Sequence, residues 1–133
     1  MQVLFYAGRN DKDKNRLEAA IRDVIPAQAI EHFTGLDVLR ERFRSIVEPD
    51  SIAVLLAVDR EELLEMQAFR ELLPEIYVIL VIPDWRESTL KLAHLLLPRF
   101  LSHKEDSFVD IKKVLKKMAV PHRSVKSALS GLP

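Results

Sequence analysis

Cysteine is absent from these 133 residues, which excludes a disulfide framework, a zinc–thiolate centre and a thiol nucleophile. Glycine is scarce, with three copies. Neither G-x-G-x-x-G nor G-x-x-x-x-G-K-[ST] occurs, so a nucleotide or flavin phosphate cradle is not expected. Net charge is also lacking: 20 Lys and Arg face 20 Asp and Glu, which argues against a chain that binds nucleic acid with its whole surface. No stretch reaches the ~18 to 20 apolar residues of a membrane span. The opening run, Met1 to Gly8, has no basic n-region or cleavage pattern, so it does not read as a targeting segment, and a reducing cytoplasm is the simplest compartment. What the chain does have is 48% apolar residues dominated by Leu, Ile and Val, enough to close one core at this length.

Those apolar residues fall into an alternation of two periods. Val3 to Ala7 is a continuous run that suits a strand buried on both faces. Leu17, Ala20, Ile21, Val24 and Ile25 recur at helical spacing and stop at Pro26. Ala29 to Phe33 is a more polar strand, and Thr34 three residues before Asp37 suggests a capping box for a helix through Leu36, Leu39, Phe43, Ile46 and Val47. Ile52 to Val58 is the third strand, and the helix over Glu61 to Leu73 is closed by Pro74. Ile76 to Ile82 is the fourth strand. Asp84 with Glu87 offers a cap to a helix over Glu87 to Leu97, which Pro98 ends. Phe100 to His103 is the fifth strand, and Ser107 with Asp110 offers a cap to a last helix carrying Phe108, Ile111, Val114, Leu115 and Met118 inward, ended by Pro121.

Five strands alternating with five helices through short loops imply an α/β protein with a parallel sheet and helices on both faces. The polar second and fifth strands belong at the edges, which gives the flavodoxin-like (βα)5 order 2-1-3-4-5. One domain is expected over 1–118, followed by a mobile tail over 119–133. In this topology a site forms at the carboxyl ends of strands 1 and 3, over the loops Gly8 to Asn15 and Val58 to Glu61.

The run Ala53 to Val58 resembles the third strand of response-regulator receiver (CheY-like) domains, and Phe100 to Lys104 resembles their fifth. The resemblance covers roughly residues 1 to 118 and rests on element order and length. It implies a phospho-accepting Asp at the end of strand 3, an acid pair for Mg²⁺ after strand 1, a hydroxyl ending strand 4 and a Lys ending strand 5. Here those positions hold Ala57, Ala7 with Gly8, Ile82 and Lys104, so only the lysine matches. The resemblance therefore implies a degenerate receiver that keeps the scaffold and has lost phosphoryl transfer, with no cofactor and no enzymatic role. The alternative is an Mg-dependent receiver with relocated acids: Asp59, two residues past Ala57, as acceptor, Asp11 and Asp13 with it on Mg²⁺, and Lys104 on the phosphoryl oxygens. The plainer role of Asp59 is to cap the third helix, and that of Asp11 and Asp13 is to lie solvated beside Lys12 and Lys14.

His32, His94, His103 and His122 show no H-x-x-x-H or H-x-E spacing, so no metal centre is expected from them. Trp85, just past strand 4, either covers the carboxyl edge or packs on its own helix. The fourth helix carries Leu90, Leu92, Leu95, Leu96 and Leu97, more than one buried stripe needs. An interface centred on Leu90, His94 and Leu97 is expected, on the helix 4, strand 5, helix 5 face through which receiver-like domains meet a protein partner or a second copy. Lys112, Lys113, Lys116 and Lys117, with Arg123 and Lys126 beyond, form a basic stripe. It reads as a solvated face, or as an attractor of an acidic protein or a phosphate backbone. Without interleaved aromatics, nucleic acid is not the expected partner.

Overall fold

The alternation of strand and helix periods resolves into a single parallel sheet. The computed structural model describes residues 2–9, 11–45, 47–73 and 76–119. Ile46, Pro74, Pro121 and the tail from 120 onward, on which parts of the sequence reading rest, lie outside the described residues. The strands are β1 (Val3–Ala7), β2 (Ile30–Phe33), β3 (Ile52–Leu56), β4 (Tyr77–Ile82) and β5 (Phe100–His103). They pair in the order β2-β1-β3-β4-β5, every pair parallel, with Val3 opposite Ile30 on one side and Ile52 on the other. This is the flavodoxin-like (βα)5 arrangement, with the polar strands at the two edges.

Alternation along each strand sorts the side chains between two cores. Val3, Phe5 and Ala7 with Ile52, Val54, Leu56, Ile79 and Val81 face α1 (Lys12–Arg22) and α5 (109–119), which contribute Leu17, Ile21, Ile111 and Leu115. Leu4, Tyr6, Ala53, Leu55, Val78 and Leu80 face α2 (Leu36–Arg44), α3 (Arg60–Glu65) and α4 (Glu87–Leu95), which contribute Leu39, Phe43, Leu63 and Ala93, with Met66 and Leu96 just past the ends of α3 and α4. All five residues of β1 and of β3 are buried, as a strand covered on both faces requires.

Several element ends depart from the sequence reading. The third helix is α-helical only to Glu65 and continues as a 3-10 segment, Met66–Leu72, with Phe69 at φ −118°, ψ 16°. There the Gln67 side-chain amide donates to the Leu63 carbonyl (3.1 Å) and to the Leu92 carbonyl of α4 (3.0 Å), while the Phe69 ring packs 5.4 Å from that of Phe43. Thr34 does not cap α2, whose N-cap is Gly35 with no side-chain bond. Asp84 does not cap α4: its Oδ1 accepts from the Arg86 N–H, folding a turn before the helix. The last helix begins after Phe108, a buried residue in the left-handed region (φ 65°), and Ser107 Oγ accepts from Val109 N only at 3.5 Å. Ala119, assigned to the tail by sequence, is the last described residue of α5.

Candidate functional site

The carboxyl edge of the sheet, between the ends of β1 and β3, is where an open α/β sheet places a site. Tyr6, the fourth residue of β1, has its ring in the core, and a buried hydroxyl must find a partner. It donates to Glu62 Oε2 (2.6 Å), and Glu62 Oε1 accepts from the Val58 N–H (3.0 Å), so one carboxylate ties β1 to the strand-to-helix turn after β3. Burial, and then this bond to Glu62, push the Tyr6 phenol well above its usual pKa. Gly8 is required beside it, because a Cβ there would lie 2.6 Å from the Tyr6 hydroxyl and 2.7 Å from Glu62 Oε2.

The expected acids are each engaged in folding. Asp59 is the N-cap of α3: its Oδ1 accepts from the Glu62 N–H (2.8 Å) and its Oδ2 meets Arg9 (3.2 Å). Asp11 is the N-cap of α1, accepting from the Lys14 N–H (3.0 Å). Asp13 pairs with Arg16 one turn on (3.3 Å). Among the described residues, no group of three or more His, Asp or Glu side chains is arranged to hold a metal ion. Ala57 and Ile82, just past the end of β3 and at the end of β4, are fully buried. Lys104 stands at the same edge, its backbone N–H donating to the Ile82 carbonyl (2.9 Å).

A second group closes the far side of this edge. The Trp85 ring stands edge-to-face to His103 with centroids 5.1 Å apart, so the half-exposed indole covers the end of β5. Arg16, reaching from α1, holds the β5–α5 loop: Nη1 donates to the Lys104 carbonyl (3.0 Å), Nη2 to the Asp106 carbonyl, and its guanidinium lies 4.6 Å over the Phe108 ring. Burial pushes the Asp106 carboxyl up, but the Ser102 hydroxyl and the Ser107 and Phe108 N–H groups outweigh it and hold it below the usual range. The Asp84 carboxyl is also held low, first by the Thr89 hydroxyl and then by the Arg86 N–H.

In the first turn of α4, Leu90 is half-buried and packs against the core, so it is not on an open face. Leu95 takes the outward place, 49% exposed, beside the exposed His94. Leu97 is 63% exposed and sits in the left-handed region at φ 55°, its N–H donating to the His94 carbonyl (3.0 Å) as the helix ends.

Tyr6, Glu62 and Arg16 were not singled out by sequence, and Gly8 was named only for its place in the first loop. A tyrosine inside an otherwise apolar strand carries one usable signal, the need for a hydroxyl partner. Asp59 followed three residues later by Glu62 carries another, the spacing of a capping box. Nothing local marks Arg16, whose partners lie 88 and 90 residues away.

Fold and site together define a flavodoxin-like α/β domain whose carboxyl edge is closed by its own hydrogen bonds. The chain matches no family model, no curated protein and no solved structure. No described helix is long and apolar enough to cross a membrane.

Proposed function

We propose that this chain is a protein-contact module, receiver-like in architecture, that acts through the end of α4 and does not transfer phosphoryl groups. The observation that carries this reading is Leu97. A left-handed backbone at a helix end favours glycine, and a side chain with a Cβ is disfavoured there by about 1–2 kcal/mol. A leucine in that conformation gains little from folding when 63% of it stays in water. Leu95 and His94 extend the same exposed surface. Such a residue is explained by a partner that buries it. At the carboxyl edge, by contrast, Asp59 and Asp11 supply helix caps and each Glu62 oxygen accepts a bond, from Tyr6 and from the Val58 N–H.

The test is an amide NMR spectrum titrated with Mg²⁺ and then with beryllium fluoride, a mimic of a phosphorylated aspartate. The expected spectrum is indifferent to both. Saturable shifts clustered at Asp11, Asp13, Asp59 and Lys104 would overturn the reading in favour of phosphoryl chemistry.

A further inference from the structure

The charge of the chain is balanced in sum and segregated in space. Residues 111–133 hold six cations, Lys112, Lys113, Lys116, Lys117, Arg123 and Lys126, and no acid, so the first 110 residues hold 14 cations against all 20 acids. The described part of that basic segment forms one wall of a groove of about 480 Å³ between the end of α1 and α5, lined by Asp23, Val24, Val109, Lys112, Lys113 and Lys116. Val24 and the 45% exposed Val109 provide apolar lining, and Lys112 is held by Asp23 (3.1 Å). Lys113 and Lys116 are exposed and enter no ion pair among the described residues, with Asp110 on the same helix as the nearest acid in sequence.

The complementary surface is on the opposite side of the sheet. On α3, Glu61, Leu64 and Glu65 share one face at spacings of three and four residues; all three are exposed, Leu64 to 57%, and neither glutamate is ion-paired among the described residues. This is an apolar knob flanked by two carboxylates, with Arg60 at the start of the helix the adjoining cation. The groove carries an apolar lining of Val24 and Val109 beside the Asp23–Lys112 pair, and is flanked by two ammonium groups without an ion pair among the described residues.

We propose that the α1–α5 groove of one copy receives the α3 face of a second copy of this chain, Leu64 against Val24 and Val109, and Glu61 and Glu65 against Lys113 and Lys116. Because α3 packs on one face of the sheet and α1 with α5 on the other, a chain cannot fill its own groove. The contact is therefore head-to-tail, and the assembly extends past a dimer or closes into a ring. An extended nucleic acid fits the groove less well, since no aromatic side chain lines it to stack a base.

Sedimentation velocity of the full chain from micromolar to near-millimolar concentration tests this. The expected result is growth beyond the monomer that weakens as salt rises from about 50 to about 500 mM, because the flanking charges are solvent-exposed and screened. Glu61→Lys with Glu65→Lys, and separately Lys113→Glu with Lys116→Glu, should each give a monomer. Mixing the two variants, or combining all four substitutions in one chain, should restore association. Leu64→Ser should weaken it at least tenfold. All five positions are exposed, and unchanged thermal melts confirm folding. A wild-type chain that is monomeric throughout overturns the proposal, as does association that either double variant retains or that mixing fails to restore. Leu95→Glu with Leu97→Glu leaves this self-association intact, so the two proposed surfaces stand or fall separately.

Discussion

Tyr6 carries a hydroxyl into the core, and Glu62 satisfies it from the first turn of α3. The phenol is neutral when it donates to Glu62, and its folded-state pKa is raised above the unfolded value of about 10. The stability it contributes is therefore fully present below pH 10 and lost as pH rises beyond it. Tyr6→Phe is expected to be less stable than wild type at neutral pH by about 1–2 kcal/mol, because Glu62 loses a partner. It should also be less sensitive to alkali by about 1.4 kcal/mol per pH unit above pH 10, read from urea unfolding at pH 8 and pH 11. Gly8→Ala drives a methyl group against the same bond and should lower the melting temperature comparably. For Asp59, substitution by Ala removes the α3 cap and is expected to cost about 1 kcal/mol, with the exposed Arg9 pair adding little. The same loss should be measured with and without Mg²⁺. Leu97→Gly separates folding from contact at one position. It is expected to stabilise the fold by about 1 kcal/mol, seen as a higher melting temperature, by relieving the left-handed backbone, and to weaken any contact made by the end of α4.

Elements show how a local pattern is bent by its neighbours. The apolar spacing of Leu63, Met66, Phe69 and Leu73 reads as one helix, yet the chain tightens to 3-10 geometry after Glu65. The Leu63 carbonyl, which a continuing α-helix would pair with the Gln67 N–H, instead accepts from the Gln67 side chain. The same amide ties α3 to α4, and the tightened turn sets Phe69 against Phe43 of α2. The start of α5 depends on an element 90 residues away in the same manner. Arg16 satisfies two loop carbonyls and covers the ring of Phe108, holding that residue in a conformation it would not adopt alone. Arg16→Ala is expected to lower stability by about 2 kcal/mol. Faster hydrogen exchange should be confined to 104–110, since the charged donor there faces backbone carbonyls and not a solvent-exposed acid alone.

At the scale of the whole molecule, the continuous apolar runs of β1, β3 and β4 and the polar character of β2 and β5 place three strands inside and two at the edges. That order was readable because burial on two faces leaves no room for a charged residue within a strand. Amphipathic spacing likewise placed five helices, although the third leaves α geometry after Glu65. Asp59 was readable from its place before the third helix as a cap, and its Oδ1 does accept from an α3 amide. Asp11, which reads as a solvated loop acid, proved to be a cap only once the α1 amide was seen to point at it. Leu90 and Leu95 are leucines of the same helix five positions apart, and only the packing of α4 on the sheet decided that Leu90 turns inward and Leu95 outward. The sequence by itself determined the order, type and buried faces of the elements, because hydrophobic period is a local property of the chain. The tertiary structure alone decided that Tyr6 meets Glu62 across 56 residues, that Arg16 reaches the far loop, and that an acidic knob and a basic groove lie on opposite faces of one sheet. Those relations depend on how the crossovers bring distant side chains together, and no local period encodes a distance between residues so far apart.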